Sequence, residues 1–278
     1  MKLLLTLSFL VVIQSALTQS VKMMTYNLRY DTPNDGINQW PNRITKVNAL
    51  LAKYDPDLIG VQEALKHQIE DILKGLPQYA YVGVGRDDGK EKGEYSAILY
   101  KKNRFEILSQ KTFWLSETPE VPGSKSWDAA ITRIVTVVKF KDKKMGKEFF
   151  HLNTHFDHIG KEARKNSVLL LHQFLAKEGL SKSRIPVLVS GDFNSEPTEE
   201  PYQIMVAKNE LTVFDSKPAS STTGTFCGFE VGAMTCRVID YIFHSSEWKV
   251  EKYLVIQDND GKNYPSDHLP VMAEFALK

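Results

Sequence analysis

Cysteine is nearly missing from this chain: among 278 residues only Cys227 and Cys236 are present. So few thiols exclude a disulfide-framework scaffold and give no compact ligand set for zinc. Charge of one sign is missing as well, with 35 Lys and Arg against 34 Asp and Glu. The composition therefore supplies no broad basic face of the kind that non-specific duplex binding uses. Nor is there an internal repeat, a low-complexity tract or a proline-rich linker, which excludes arrays and leaves one large domain. Long hydrophobic runs are absent apart from Leu3 to Ile13, about half of what a membrane-spanning helix needs.

That one run is informative. Lys2 precedes it and Ala16, Thr18 and Gln19 follow, the order of a secretory signal. Residues 1–18 are expected to be a signal peptide rather than an anchor, cut after Thr18. The expected domain is 21–278, secreted or periplasmic. Removing the segment takes Lys2 away and leaves 34 basic and 34 acidic residues. An exported chain meets oxidising conditions, which favours a disulfide closing TFCGFEVGAMTC over two reduced thiols.

Segments rich in β-branched and aromatic residues recur between turn residues. They predict strands over Lys22–Tyr30, Leu58–Gln62, Tyr79–Gly85, Tyr95–Tyr100, Phe105–Leu115, Ile131–Phe140, Glu148–Asn153, Ile185–Val189, Arg237–Phe243, Lys249–Ile256 and Pro270–Ala276. Helical spacing appears over Asn42–Tyr54, His67–Lys74 and Lys161–Glu178, with a shorter candidate at Glu199–Lys208. Many strands with few helices predict two packed sheets with helices outside, and polar residues beyond strand ends then converge on one rim.

Reading those strand ends gives Asn27, Glu63, His155, Asp192, Asn194, Asp267 and His268, with Asp240 inside a strand and Glu94 opening one. An acid closing an apolar strand, as Glu63 does, is costly to bury unless it is paired or binds a cation. Asn27, Glu63, Asp192, Asn194 and Asp267 offer oxygen without thiolate, which suits Mg²⁺ or Ca²⁺. Two histidines among carboxylates supply acid-base chemistry. Taken singly, Asp240, His67, His151, His158, His172 and His244 are ordinary structural or solvated residues. HFDH lacks the glutamate of the zinc-protease helix pattern.

The pieces TYNLRY, DLIGVQE, GEYSAILY, NTHFDH, SGDFNS, RVIDYIF and SDHLPV stand in one order from about Val21 to the end. In that order the sequence resembles the endonuclease/exonuclease/phosphatase superfamily, deoxyribonuclease I-like. The resemblance implies an α/β fold, a four-layer αββα sandwich of two mixed sheets. It implies cleavage of phosphoesters with a divalent ion, Mg²⁺ by preference and Mn²⁺ or Ca²⁺ as alternatives. Carried residue by residue, Glu63 would be the main metal ligand with Asn27 and Asp267 nearby, Asn27 also orienting the phosphate. His268 would be the general base, held by Asp240. His155 would contact the phosphate and protonate the leaving oxygen, paired with Glu94. Asp192 would act on water or a second metal, Asn194 on a phosphate oxygen, and Arg133 would face the phosphate.

The substrate stays open between nucleic acid, a phospholipid headgroup and a sugar or inositol phosphate, with a nuclease as the first expectation. Lys101, Lys102 and Arg104, with Trp114 and Trp127, could contact bases or lipid, although an ordinary charged turn and rim aromatics account for them as well. A monomer without a stable membrane span is expected. A binding protein that lost the chemistry would have lost a motif carboxylate or histidine, and Glu63, Asp192, Asp240, His155 and His268 all stand in place.

Overall fold

A computed structural model describes residues 20–180, 184–208, 212–232 and 235–278. The expected signal segment lies outside the described residues. Strands β1 (Ser20–Asn27), β2 (Leu58–Gln62), β3 (Tyr79–Val82) and β4 (Ile98–Lys101) join β11 (Trp248–Val255) and β12 (Val271–Leu277) in one sheet. Its order is β11-β12-β1-β2-β4-β3. The second sheet runs β5 (Phe105–Trp114), β6 (Ile134–Asp142), β7 (Lys147–His155), β8 (Val187–Asp192), β10 (Asp240–Ser245) and β9 (Val213–Asp215). Both are mixed: β1 pairs parallel with β2 and β7 with β8, the other pairings being antiparallel.

Side chains alternate across each strand, and here both faces are apolar. Val21 and Met23 point between the sheets with Phe140, Phe149, Ile242 and Phe275. Met24 and Tyr26 lie instead against helices α1 (Trp40–Tyr54) and α2 (Lys66–Gly75), through Val47, Leu51 and Ile69. On the second sheet Leu188 faces inward, while Val187 and Val189 meet Val168, Leu171 and Leu175 of α3 (Lys161–Lys177). The result is the expected sandwich of two sheets between helices.

Some boundaries differ from the pattern. Helix α1 begins at Trp40 because Pro41 occupies its first turn, where no backbone donor is needed. The Glu199–Lys208 candidate contracts to α4 (Glu200–Met205). The strand expected from Arg237 starts only at Asp240, because Arg237 is paired with Phe226 outside the sheet. Strand β9 and the 3-10 turn Pro33–Asn38 carry too little periodicity to be seen in the sequence.

Pairing direction builds the rim. The C-terminal ends of β1 and β2 lie together, with Asn27 opposite Gln62. Strand β12 runs antiparallel to β1, so Asp267 and His268, just before it, come to the same end. In the other sheet His155 is in register with Asp192, and Asp240 with Asp192. Residues scattered from 27 to 268 thus meet at one edge of the sandwich.

Beneath the rim a polar network crosses between the sheets. Asn153 donates to the carbonyls of Val61 and Ala97, both at 2.9 Å, and its oxygen accepts from Gln62 at 2.7 Å and Ser190 at 2.9 Å. Gly60 makes room for it: a Cβ there would lie 2.4 Å from both Asn153 Oδ1 and Ser190 Oγ.

Candidate active site

A cavity of about 460 Å³ opens on this rim, lined by Glu63, Glu94, Arg133, His155, Asp192, Asn194, Asp267 and His268. The structure therefore brings together eight of the ten residues singled out from the sequence. Asn27 and Asp240 stand directly behind them, fully or almost fully buried. Arg29, Tyr30, Arg86, His158, Phe226 and Arg237 also line it, and sequence reasoning assigned none of them. Arg86 lies in the glycine-punctuated turn GVGRDDGKEKGE, whose only signal was its turn residues.

His268 and Asp240 form a buried pair, Nδ1 to Oδ2 at 2.9 Å. Burial alone would lower the imidazole, but Asp240, joined by Asp192 and Asp267, outweighs it and pushes His268 up to about 10. Asp192 Oδ2 sits 3.8 Å from His268 Nε2 and 3.4 Å from His155 Nε2. Burial, and then the charge of Asp240, lift the Asp192 carboxyl to about 7.

His155 is set differently. Burial, with the neighbouring cations of Arg133 and Arg86, holds it well below the usual imidazole range, so it is neutral. Asn194 donates to its Nε2 at 3.1 Å, and its Nδ1 is buried without a hydrogen-bond partner. The expected Glu94–His155 pair does not form. Glu94 instead accepts from Arg86 Nη1 at 2.6 Å, because a half-buried carboxylate gains more from a permanent guanidinium than from a neutral ring.

Arg133 is 5 % exposed and approaches His158 Nδ1 at 3.3 Å, while its Nε and Nη1 have no hydrogen-bond partner. Unsatisfied donors on a buried cation beside a cavity are what an anionic ligand would satisfy.

Glu63 and Asp267 form the acidic side. Burial raises the Asp267 carboxyl, Glu63 adds to the rise, and His268 opposes it. Glu63 Oε1 accepts from Asn27 Nδ2 at 3.1 Å and Oε2 from the Tyr30 backbone at 3.2 Å. Asn27 was expected to present oxygen to a metal. Its amide nitrogen instead bridges Glu63 and Asp192, at 3.1 and 3.0 Å, and its oxygen accepts from the Arg29 backbone. Two carboxylates attract the N–H end of the amide, so Asn27 holds the acids in place. Hard oxygen donors crowded in a half-buried site fit a divalent cation at Glu63 and Asp267. Asp192, Asp240 and His268 also lie within 4.8 Å of one another through their ligand atoms, but the Asp240–His268 hydrogen bond already engages two of the three.

Backbone geometry aims these groups. Arg29, Glu63 and Asn194, each within two residues of the end of β1, β2 or β8, have φ of 53°, 59° and 46°. Left-handed conformations cost non-glycine residues about 1 kcal/mol or more and persist where surrounding structure enforces them.

Fold and rim together define a phosphoester-hydrolase class: two mixed sheets between helices, with acids, amides and two histidines around one cavity. The chain belongs to the endonuclease/exonuclease/phosphatase family, whose model matches residues 24–268. A solved family member from Bacteroides thetaiotaomicron is 38 % identical, with a TM-score of 0.88 over 94 % of this chain and 98 % of that one. A mannosyl-6-phosphatase from the same species is also 38 % identical, with a TM-score of 0.86 over 92 % of this chain and all of that one. The uncharacterised protein L388 of Acanthamoeba polyphaga mimivirus is 29 % identical across 88 % of this chain and 96 % of its own length.

The disulfide between Cys227 and Cys236 is formed. Three of the other residues considered for substrate contact are used elsewhere. Lys101 and Arg104 pair with Asp55, Asp57 and Asp142, and Trp114 is buried with its ring nitrogen donating to the Arg86 carbonyl at 2.6 Å. Among the described residues no helix is long and apolar enough to cross a membrane.

Proposed function

We propose that this protein is a divalent-metal-dependent hydrolase of small phosphoesters, with phosphorylated sugars favoured over nucleic acid. The observation that carries the reading is the polarity of the cavity. Glu63 and Asp267 form a cation-binding side, and the same cavity is lined by Arg133, whose Nε and Nη1 make no hydrogen bond and whose nearest ion-pair partner, Asp157, lies 3.9 Å away, as an anion-binding side. A bound Mg²⁺ would supply charge neutralisation and polarisation of the phosphate. The cation would be held by Glu63 and Asp267, and Mn²⁺ or Ca²⁺ fits the same donors.

The chain's own groups then have defined work. Arg133 and Asn194 hold non-bridging oxygens, whose charge grows in the transition state. A cation bound beside Asp267 would offset the acids that hold His268 protonated, which would leave Nε2 free to receive the proton of the attacking water while Asp240 keeps Nδ1 protonated and the ring oriented. His155, being neutral, accepts from Asn194 through Nε2 and stands beside Asp192 on the same wall. Asp192, beside both rings, orients the water between them.

Three observations move the substrate away from nucleic acid, the first expectation from sequence. The basic cluster at 101–104 is largely spent in ion pairs, Trp114 is buried, and a relative at 38 % identity is a sugar phosphatase. Export of the mature chain to an oxidising compartment accords with the formed disulfide and completes the proposal. In a panel of p-nitrophenyl phosphate, its bis ester, hexose 6-phosphates, RNA and DNA with Mg²⁺, the small phosphoesters are expected to turn over fastest. Equal or faster cleavage of RNA or DNA would overturn the substrate reading, and no hydrolysis with any divalent ion would overturn the enzymatic one.

A further inference from the structure

His268 and Asp240 come from different sheets. His268 leads into β12 and Asp240 begins β10, so the 2.9 Å bond between them spans the sandwich at its open edge. No strand pairing joins β10 to β12. A separate segment, 224–228, does so.

On one side this strap pairs with the approach to Asp240. The backbone nitrogens of Thr225 and Phe226 both donate to the Arg237 carbonyl, at 2.7 and 2.9 Å, and Arg237 N donates back to Phe226 at 3.0 Å. Thr225 Oγ1 accepts from the backbone nitrogens of Ile239 and Asp240, both at 3.1 Å. On the other side the strap pairs with the residues flanking His268. Leu269 N donates to the Thr225 carbonyl at 2.6 Å, while Cys227 and Gly228 donate to the Asp267 carbonyl at 3.1 and 3.0 Å. The Phe226 ring lies against the imidazole, 4.8 Å between centroids. Cys227, the next residue, is tied to Cys236 just before Arg237.

We infer that Thr225 is a positioning residue for the His268–Asp240 pair, and that the strap it anchors, closed by the Cys227–Cys236 disulfide, sets the distance between the two residues. Thr225 is wholly buried. Its two oxygens hold the two partners directly: the hydroxyl fixes the backbone of Asp240, and the carbonyl fixes the residue after His268. The disulfide keeps the strap's two arms from separating at the point where they pass the imidazole.

The inference rests on the proposed hydrolase reading for its kinetic test, so a second readout is independent of turnover. The Nδ1 proton shared by His268 and Asp240 gives a downfield proton resonance, assigned by its loss in His268→Ala. Thr225→Val keeps the shape and removes the acceptor; Thr225→Ser keeps the acceptor. With Mg²⁺ and p-nitrophenyl phosphate, Thr225→Val is expected to lower kcat on the order of 10- to 100-fold, the scale of a small misplacement of reacting groups. Its KM should stay near the wild-type value and the resonance should broaden or vanish, while Thr225→Ser restores both. The Cys227→Ser/Cys236→Ser double variant tests the strap without touching the Asp240 contacts, and the same loss of kcat with little change in KM is expected. Circular dichroism confirms that each variant is folded. Wild-type kcat and an unchanged resonance in either folded variant would overturn the inference. If the wild type hydrolyses nothing, the functional reading fails, and the resonance alone still decides the role of Thr225.

Discussion

Glu63 and Asp267 repel each other across a half-buried site, and that repulsion makes two opposite predictions for one residue. Glu63→Ala should abolish phosphoester cleavage, because the cation loses its main ligand. It should leave thermal stability near that of the wild type in the absence of metal, since the charge that adds to burial in raising Asp267 is gone. Kinetics and calorimetry on the same sample check both. His268→Ala should lower kcat by about 10²- to 10⁴-fold, the usual contribution of a positioned general base, in a protein that still folds. Arg133→Ala should lower kcat as well as raise KM, since it removes donors that hold the phosphate in the substrate and hold it more strongly as charge grows in the transition state. The motif positions of Glu63, His155, Asp192 and His268 were legible in the sequence, because acids and imidazoles at the ends of apolar strands stand out. Arg86 was not. Its partner Glu94 was assigned to His155, and only the fold shows that the turn between 83 and 94 brings Arg86 back onto Glu94.

At the level of elements, the strands were visible wherever β-branched residues run on, and less so where a neighbouring segment ends them. The approach to β10 reads as strand from Arg237, yet the strap takes Arg237 and Val238 out of the sheet. Strand β2 holds the clearest local constraint. Its Gly60 faces Asn153 and Ser190 with no space for a methyl group. Gly60→Ala should therefore destabilise the protein by about 1–3 kcal/mol, the range for overpacking a filled interior, seen as a lower denaturation midpoint. The same substitution displaces Asn153, which bonds to the carbonyls of Val61 and Ala97, so activity should fall with stability.

For the whole molecule, a buried imidazole ties stability to pH. His151 is fully buried, and burial lowers it to about 3. The unfolded chain takes up its proton near the ordinary value of about 6.5, whereas the folded chain does not until far lower pH. Stability is therefore present above pH 6.5 and is lost as the pH falls toward 3, at up to about 1.4 kcal/mol per pH unit from this group. His155, also lowered by burial, adds to the loss as the pH falls below the ordinary imidazole value. Asp192 and Asp267, raised by burial, act in the opposite direction, so the share of His151 is read by difference: in chemical denaturation at a series of pH values, His151→Asn should lose less stability on acidification than the wild type. What the sequence by itself determined is the layered fold and the stock of chemical groups, because alternation and motif order are written locally. What only the tertiary structure decided is which groups face each other: that Glu94 serves Arg86, that Asn27 turns its nitrogen to the acids, and that Thr225 ties together partners from separate sheets. Those pairings depend on strand direction and on the crossing of two sheets, and neither is a property of any short stretch of chain.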